Sequence, residues 1–210
     1  MRRAGLAVLL LLTAAFPSWA QAPEPIGPFV IDIRGAMSGL PTTEGWIPVV
    51  PAATEVPGRG FGLEAGGHVY MAQWGPAKVG LGASLAKVKG TTTAATAGTP
   101  DVESRATTLA PQLSFNFGHR LGFSHLSLGY GLAQVTGEAA AVGTRPLAEA
   151  DSGWVGALNF GGGARWFLTD HLGVGFDVRW HRLSGREATA LSLAAPGATL
   201  FHLAVGLSLQ

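Results

Sequence analysis

Apolar residues recur at every second position through most of the chain. One stretch places Phe29, Ile31 and Ile33 on one face and Asp32 and Arg34 on the other. A period of two is typical of a β-strand whose two faces meet different surroundings. The pattern predicts eight strands, at about residues 29–38, 60–74, 78–88, 106–118, 124–136, 153–167, 172–183 and 198–209.

The connections between the predicted strands alternate in length. Short turns at one rim and long loops at the other are typical of bacterial outer-membrane barrels, with turns in the periplasm and loops outside. The sequence therefore predicts an all-β fold, an eight-stranded antiparallel up-and-down transmembrane β-barrel over residues 29–210. The predicted turns are residues 75–77, 118–123 and 168–171, and the predicted loops are residues 39–59, 89–105, 137–152 and 184–197.

The polar faces are predicted to point into the barrel. The other faces carry more Phe, Leu, Trp and Val than an eight-stranded interior can hold, whereas Gly, Ala and Ser suit a narrow lumen. We expect every charged strand residue to lie on the polar face. Aromatic residues gather near the strand ends, as in the girdles of membrane barrels. These are Trp74, Phe117, Phe123, Trp166 and Phe167 toward the turns, and Trp154 and Trp180 toward the loops.

The first twenty residues have the organisation of a secretory signal peptide. Two arginines precede an apolar stretch at residues 4–15, and small residues follow at Ser18 and Ala20. The apolar stretch is shorter than the about 20 residues that a spanning helix needs. We predict cleavage after Ala20, export to the outer membrane, and a short periplasmic lead at residues 21–28.

Composition narrows the classes of function. Charged residues make up 13% of the chain, below the about 25% of typical soluble domains, and there are 31 glycines. The chain has no cysteine, which leaves no disulfide or thiolate chemistry. Without Arg2 and Arg3 the 14 basic residues become 12, against 13 acidic residues. This balance argues against a nucleic-acid partner.

Acidic residues and arginines are balanced on the polar faces, three against three. An unpaired charge in a narrow lumen is costly, so we expect ion pairs and hydrogen bonds that close the lumen. A gated or proton-linked channel is the alternative. The lumen network, with a structural role, is predicted to contain Asp32, Arg34, Glu64, His68, Arg165, Asp177, Arg179 and His181.

One hairpin resembles a known family. Residues 161–173, followed by Asp177-Val178-Arg179-Trp180, resemble the turn-centred hairpin of small outer-membrane barrels similar to the OmpA transmembrane domain and OmpX. The resemblance is specific over about residues 160–183. It implies an eight-stranded antiparallel barrel with surface-exposed loops, in a family whose members serve envelope integrity, adhesion and defence.

Two features depart from that family's pattern. The sequence ends in Leu209-Gln210, where the family usually has an aromatic residue that the barrel assembly machinery recognises. Pro111 removes one ladder hydrogen bond from the fourth predicted strand. Either feature is expected to weaken insertion or to mark a bulge.

Candidate chemistry is sparse. His125 and Ser127 share one strand face and resemble the His and Ser of outer-membrane lipid A deacylases, with Glu138 or Glu149 as a third member. We expect this pair at the periplasmic end, far from both glutamates. Inward-facing histidines could converge on a metal, but their spacing matches no ligand motif. These histidines are His68, His181 and His202.

The sequence therefore predicts an outer-membrane barrel of structural or interaction type, not an enzyme, with no catalytic, cofactor or metal site. Its expected partners are outer-membrane lipid, the barrel assembly machinery and an extracellular ligand or host surface bound by the loops. A narrow channel, a lipid A-modifying enzyme and a soluble lipocalin-like binder are the alternatives.

The signal-peptide prediction is tested by N-terminal sequencing of protein purified from the cell envelope. The first residue should be Gln21, because the small residues before it form the cleavage site. A chain that still carries Met1 would contradict both export and placement in the outer membrane.

Overall fold

The computed structural model describes residues 24–188 and 194–210, so the predicted signal peptide lies outside the described residues. None of the described residues belongs to a helix long and apolar enough to cross a membrane. The strands in the described ranges are β1 (Phe29–Gly39), β2 (Arg59–Trp74), β3 (Ala77–Thr92), β4 (Val102–His119), β5 (Gly122–Ala139), β6 (Ala148–Asp151), β7 (Val155–Phe167), β8 (Leu172–Leu183) and β9 (Ala198–Leu209).

These strands close into a barrel. Every pairing is antiparallel, and the sheet runs β4-β3-β2-β1-β9-β8-β7-β5, with a further β4–β5 pairing that joins its ends. The short strand β6 and the longer β7 both pair with β5, one above the other, and so occupy a single position. The predicted closed, eight-stranded, antiparallel, up-and-down barrel is confirmed.

The sixth barrel position is interrupted between β6 and β7. Ser152 accepts a hydrogen bond on its hydroxyl from the Val135 backbone N–H at 2.8 Å, and its own N–H donates to the Val135 carbonyl at 2.9 Å. Gly153 follows with a φ of 59°, a conformation that glycine adopts readily. The strand predicted to begin at residue 153 therefore begins at Val155, as β7. The strand β6 lies within the loop predicted at residues 137–152.

The apolar faces point out of the barrel and the polar faces point into it. Ile31 and Ile33 are 49% and 59% exposed, whereas Asp32, between them on β1, is 1% exposed. The alternation in the sequence therefore fixes the orientation of every strand, because neighbouring residues of a strand point to opposite faces. The outer surface is a continuous apolar band.

The expectation that all charged strand residues face inward is wrong at the loop end of the barrel. Lys87 and Arg182 are exposed on the outer face. The outward apolar run of β4 extends from Leu109 to Phe117, close to the about 9–11 residues with which a tilted strand crosses a bilayer. The 18 residues of β4 exceed that length, so the strands continue past the apolar band.

Pro111 does not mark a bulge. Pairing of β4 with β5 is interrupted between Leu109 and Leu113, but the register is the same on both sides of the gap. Pro111 is exposed on the outer face, where its missing N–H interrupts the ladder without shifting it. The pairing of β2 with β3 does shift its register, between Tyr70 and Ala72 of β2.

Candidate functional site

The lumen holds a buried network of charged and polar side chains that crosses the barrel. Asp32 of β1 accepts two hydrogen bonds from the Arg165 guanidinium of β7, at 3.0 and 2.7 Å. Strands β1 and β7 are not neighbours, so this bidentate pair joins opposite walls. Ser208 donates a further hydrogen bond to Asp32 at 2.6 Å. Both charges are almost completely buried, which makes each dependent on the other.

The network continues along β1 to β2 and β9. Arg34 forms ion pairs with Asp32 and with Glu64, both at 2.8 Å. Glu64 also lies 3.0 Å from the His202 ring, on a strand that is not its neighbour. The Arg34 guanidinium thus lies between the carboxylates of Asp32 and Glu64, and the His202 imidazole is a further partner of Glu64.

His125 connects this part of the network to the opposite wall. Its Nε2 lies 2.9 Å from Asp177 and its Nδ1 lies 3.0 Å from a guanidinium nitrogen of Arg165. Arginine can only donate, so Nδ1 must be the acceptor and the ring must be neutral there. Nε2 therefore carries the proton and donates it to the Asp177 carboxylate. The neighbours fix the tautomer.

Arg179 forms the other end of the network. It pairs with Asp177 at 3.1 Å and donates to Asn159 at 3.1 Å and to Ser127 at 2.8 Å. All four residues are buried. The charges alternate in sign from Glu64 through to this arginine, so no like charges are direct neighbours.

Two of the predicted network residues make ring contacts instead. His68 stacks on Tyr70 with ring centroids 6.5 Å apart, and within the described residues neither of its ring nitrogens has a hydrogen-bond partner. His181 packs edge to face against His202 at 5.8 Å. The structure also brings in five residues outside the predicted network, namely His125, Ser127, Asn159, His202 and Ser208.

The three candidate metal ligands do not converge. His68 pairs with Val30 near the turn end, whereas His202 pairs with Ser38 near the loop end, at opposite ends of β1. In residues 24–188 and 194–210, no three His, Cys, Asp or Glu side chains are grouped so that they could hold a metal ion.

An apolar layer covers the network at the loop end. Trp46, in the loop between β1 and β2, is 1% exposed and donates its indole N–H to the Pro196 carbonyl of the last loop at 2.8 Å. This tryptophan is not among the residues predicted from the sequence. The upper apolar layer comprises Leu40, Trp46, Val88, Val135, Val155, Leu183 and Leu200, with small alanines between them.

A second layer covers the network at the turn end. Phe123 and Phe167, predicted to lie in the outer girdle, instead point inward and stack on each other at 6.0 Å. Phe123 is two residues from the inward-facing His125 on β5, and Phe167 is two residues from the inward-facing Arg165 on β7. This spacing is the sequence signal for their inward position. The lower aromatic layer comprises Ile26, Val30, Tyr70, Phe123 and Phe167.

The described part of the predicted lead, residues 24–28, packs across this lower layer. Arg120, in the turn between β4 and β5, pairs with Glu24 at 2.7 Å, and this hydrogen bond raises the pKa of the guanidinium. Lys78 donates to the Ile26 carbonyl, and the Gln210 amide donates to the Arg120 carbonyl at 3.2 Å. Both ends of the described chain therefore meet at the turn end of the barrel.

The candidate catalytic residues are not brought together. His125 and Ser127 are buried in the network near the turn end. Glu138 and Glu149 pair across β5 and β6 at the loop end and are exposed on the outer face. The Ser127 hydroxyl accepts from Arg179 and the His125 imidazole contacts Asp177 and Arg165. Among the described residues, no loop carboxylate is hydrogen-bonded to either of them.

The loop end also carries an open cavity outside the lumen. Its volume is about 420 Å³, and it lies within the loop between β1 and β2. Its wall includes Ile47, Pro48, Val49 and Val50, with Thr42 and Glu44 at the edge. Val49 is 72% exposed, so this loop presents an apolar surface to its surroundings.

Two solved structures share this architecture. Neisserial surface protein A (NspA) is 10% identical, with a TM-score of 0.52, over 87% of this chain and 97% of that chain. Ail, the attachment invasion locus protein of Yersinia pestis, solved in complex with the heparin analogue sucrose octasulfate, is 10% identical, with a TM-score of 0.54, over 86% of this chain and 96% of that chain. At this identity the likeness shows the fold alone. No protein-family model matches the sequence, and no curated protein matches it.

Loss of one arginine tests the lumen network. Arg179→Ala should lower the free energy of unfolding by about 3–5 kcal/mol, because Asp177 would stay buried with His125 as its remaining contact. The measurement is urea unfolding of the folded barrel in detergent micelles, followed by tryptophan fluorescence. Arg145→Ala, at an exposed loop position, is the matched control.

A second substitution distinguishes the effect of an unpaired buried charge from a simple loss of packing. Adding Asp177→Asn to Arg179→Ala removes the stranded charge and should recover part of the lost stability. Equal stability of Arg179→Ala and wild type would contradict a structural role for the network.

Proposed function

We propose that the protein spans the bacterial outer membrane and acts through its loops as a structural or interaction protein. The observation that carries this proposal is the outer apolar band, exposed around a closed barrel that buries a network of paired charges inside. In water such a surface would drive association, since monomeric soluble proteins rarely expose a patch of that size. In a bilayer it is the surface that lipid requires.

Aromatic pairs at two heights of the outer face support this placement. Trp74 contacts Phe115 toward the turn end, and Trp180 contacts Phe160 and Phe201 toward the loop end. Aromatic side chains favour the two interfaces of a bilayer, where an apolar ring meets polar head groups. The long loops would then face the exterior and the short turns the periplasm, where the barrel assembly machinery acts on an exported chain.

Recognition is assigned to the loops. The cavity around Val49, lined by both apolar and polar side chains, offers a binding surface outside the bilayer. Ail, which has the same architecture, was solved with a heparin analogue, and this supports an extracellular ligand or host surface as the class of partner. Exposed loops on a rigid barrel suit such a role because they can vary without disturbing the scaffold.

The channel alternative is disfavoured by the two apolar layers. An ion would have to pass Trp46 at the loop end and Phe123 and Phe167 at the turn end, besides the paired charges between them. We therefore expect planar-bilayer recordings of the wild-type protein to remain silent. Frequent, stable, ion-selective openings that change in Arg179→Ala would instead support a conducting lumen.

The membrane placement is tested by an arginine at the middle of the apolar band. Leu128 is 54% exposed and lies between Leu113 and Phe160 on the neighbouring strands. Leu128→Arg should destabilise the barrel in lipid vesicles by about 2–4 kcal/mol, the cost of arginine near the bilayer midplane. The readout is the fraction that shows heat-modifiable migration in gel electrophoresis.

The control is Thr93→Arg, which places the same charge in an exposed loop and should fold as well as wild type. Normal folding of Leu128→Arg in vesicles would overturn the membrane placement and favour a soluble barrel.

A further inference from the structure

The charged residues on the outer face of the strands are confined to the loop end. In the described strands, no Asp, Glu, Lys or Arg faces outward in the half of the barrel nearer the turns. At the loop end, four cations lie together on three neighbouring strands. This cationic patch comprises Arg59 of β2, Lys87 and Lys89 of β3, and Arg105 of β4.

The strand register brings these side chains close to one another. Lys89 pairs with Phe61 of β2 and with Arg105 of β4, so two cations are directly opposite each other. Arg59 is two residues from Phe61 on the same face and is therefore a diagonal neighbour of Lys89. Like charges in such positions repel, and a shared anion relieves the repulsion.

One acidic residue offsets part of the charge. Glu103 forms an ion pair with Lys89 at 2.5 Å and a second with Arg105. Lys87 and Arg59 have no ion pair within the described residues. On the β2–β4 wall, four cations against one carboxylate leave a net positive surface, and Lys89 and Arg105 remain 52% and 48% exposed. The charge changes sign at β5, where Glu138 pairs with Glu103 and lines a cavity with Arg105, Glu149 and Asp151.

The patch lies directly above a track of exposed leucines on the same strand faces. Leu63 is paired with Lys87, Leu85 lies two residues below that lysine, and Leu109 is paired with Leu85. These leucines are 68%, 51% and 40% exposed. Cations above an uninterrupted apolar track match an amphiphile whose anionic head is joined to hydrocarbon chains.

We propose that this face binds a lipid that carries phosphate groups, in the leaflet at the loop end. The phosphates contact Lys87, Lys89, Arg105 and Arg59, and the acyl chains lie along the leucine track. The site is specific to the β2–β4 wall, because the outward residues that continue around the loop end on β5 and β6 are Glu138, Glu149 and Asp151. This inference rests on the proposed membrane placement.

The test measures lipid retention by native mass spectrometry of the full barrel, without its signal peptide, folded in a neutral detergent. The probe is bisphosphorylated lipid A, and the comparison lipid is its dephosphorylated form with the same acyl chains. Lys87→Gln/Lys89→Gln should weaken binding of the phosphorylated lipid at least about tenfold. Each basic residue near an anionic head group strengthens binding roughly fivefold, and this variant removes two of them. Arg145→Gln/Arg182→Gln removes two cations elsewhere and should bind as wild type does.

Three outcomes would overturn the inference: equal binding by the two double variants, equal binding of the two lipids by wild type, or displacement of the lipid by an equal concentration of inorganic phosphate. The last would mean that the patch takes a free anion. Heat-modifiable migration in phosphatidylcholine vesicles is measured on the same variants. A failure to fold there would count against the membrane placement, whereas loss of lipid retention by a folded barrel concerns the patch alone.

Discussion

A carboxylate and a guanidinium removed from water each lose hydration worth several kcal/mol, and Asp32 and Arg165 offset much of this loss by facing each other across the lumen. Their bidentate contact joins β1 to β7, which share no backbone hydrogen bonds. The other lumen charges follow from it. Arg34 and His125 each touch one member of this pair and bring Glu64 and Asp177 into the same network.

The two apolar layers strengthen this network by keeping water from it. Coulomb attraction and hydrogen bonding both gain where the surroundings are apolar, provided every charge has its partner. Trp46 above acts on the ion pairs from a distance. Phe123 below also contacts one of them, because the Arg165 guanidinium carbon lies 5.6 Å from the centroid of its ring. In the middle of the barrel, polar side chains face inward and apolar side chains face outward, the reverse of a soluble protein. At both ends of the lumen, apolar side chains pack inward, as in a soluble protein.

Alternation in the sequence was enough to predict the eight barrel positions and the faces of most of their residues, but not the strand β6 or the inward position of Phe123 and Phe167. The bounds predicted for the last two strands, residues 172–183 and 198–209, match β8 and β9 residue for residue. The partners inside the lumen could not be predicted, because they depend on strand tilt and on the register of all eight positions. Trp46 was missed for a different reason. It lies in a loop without periodicity, and its partner Pro196 is 150 residues away.

That contact between Trp46 and Pro196 also constrains the order of folding. The first loop follows β1 and the last loop precedes β9, and these two strands become neighbours only when the barrel closes. Before closure, bringing their loops together costs the closure entropy of the 150 residues that separate Trp46 from Pro196. Formation of the seam between β1 and β9 removes this cost, so we expect the indole to reach its carbonyl as the barrel closes, and the buried tryptophan distinguishes a finished barrel from an open sheet.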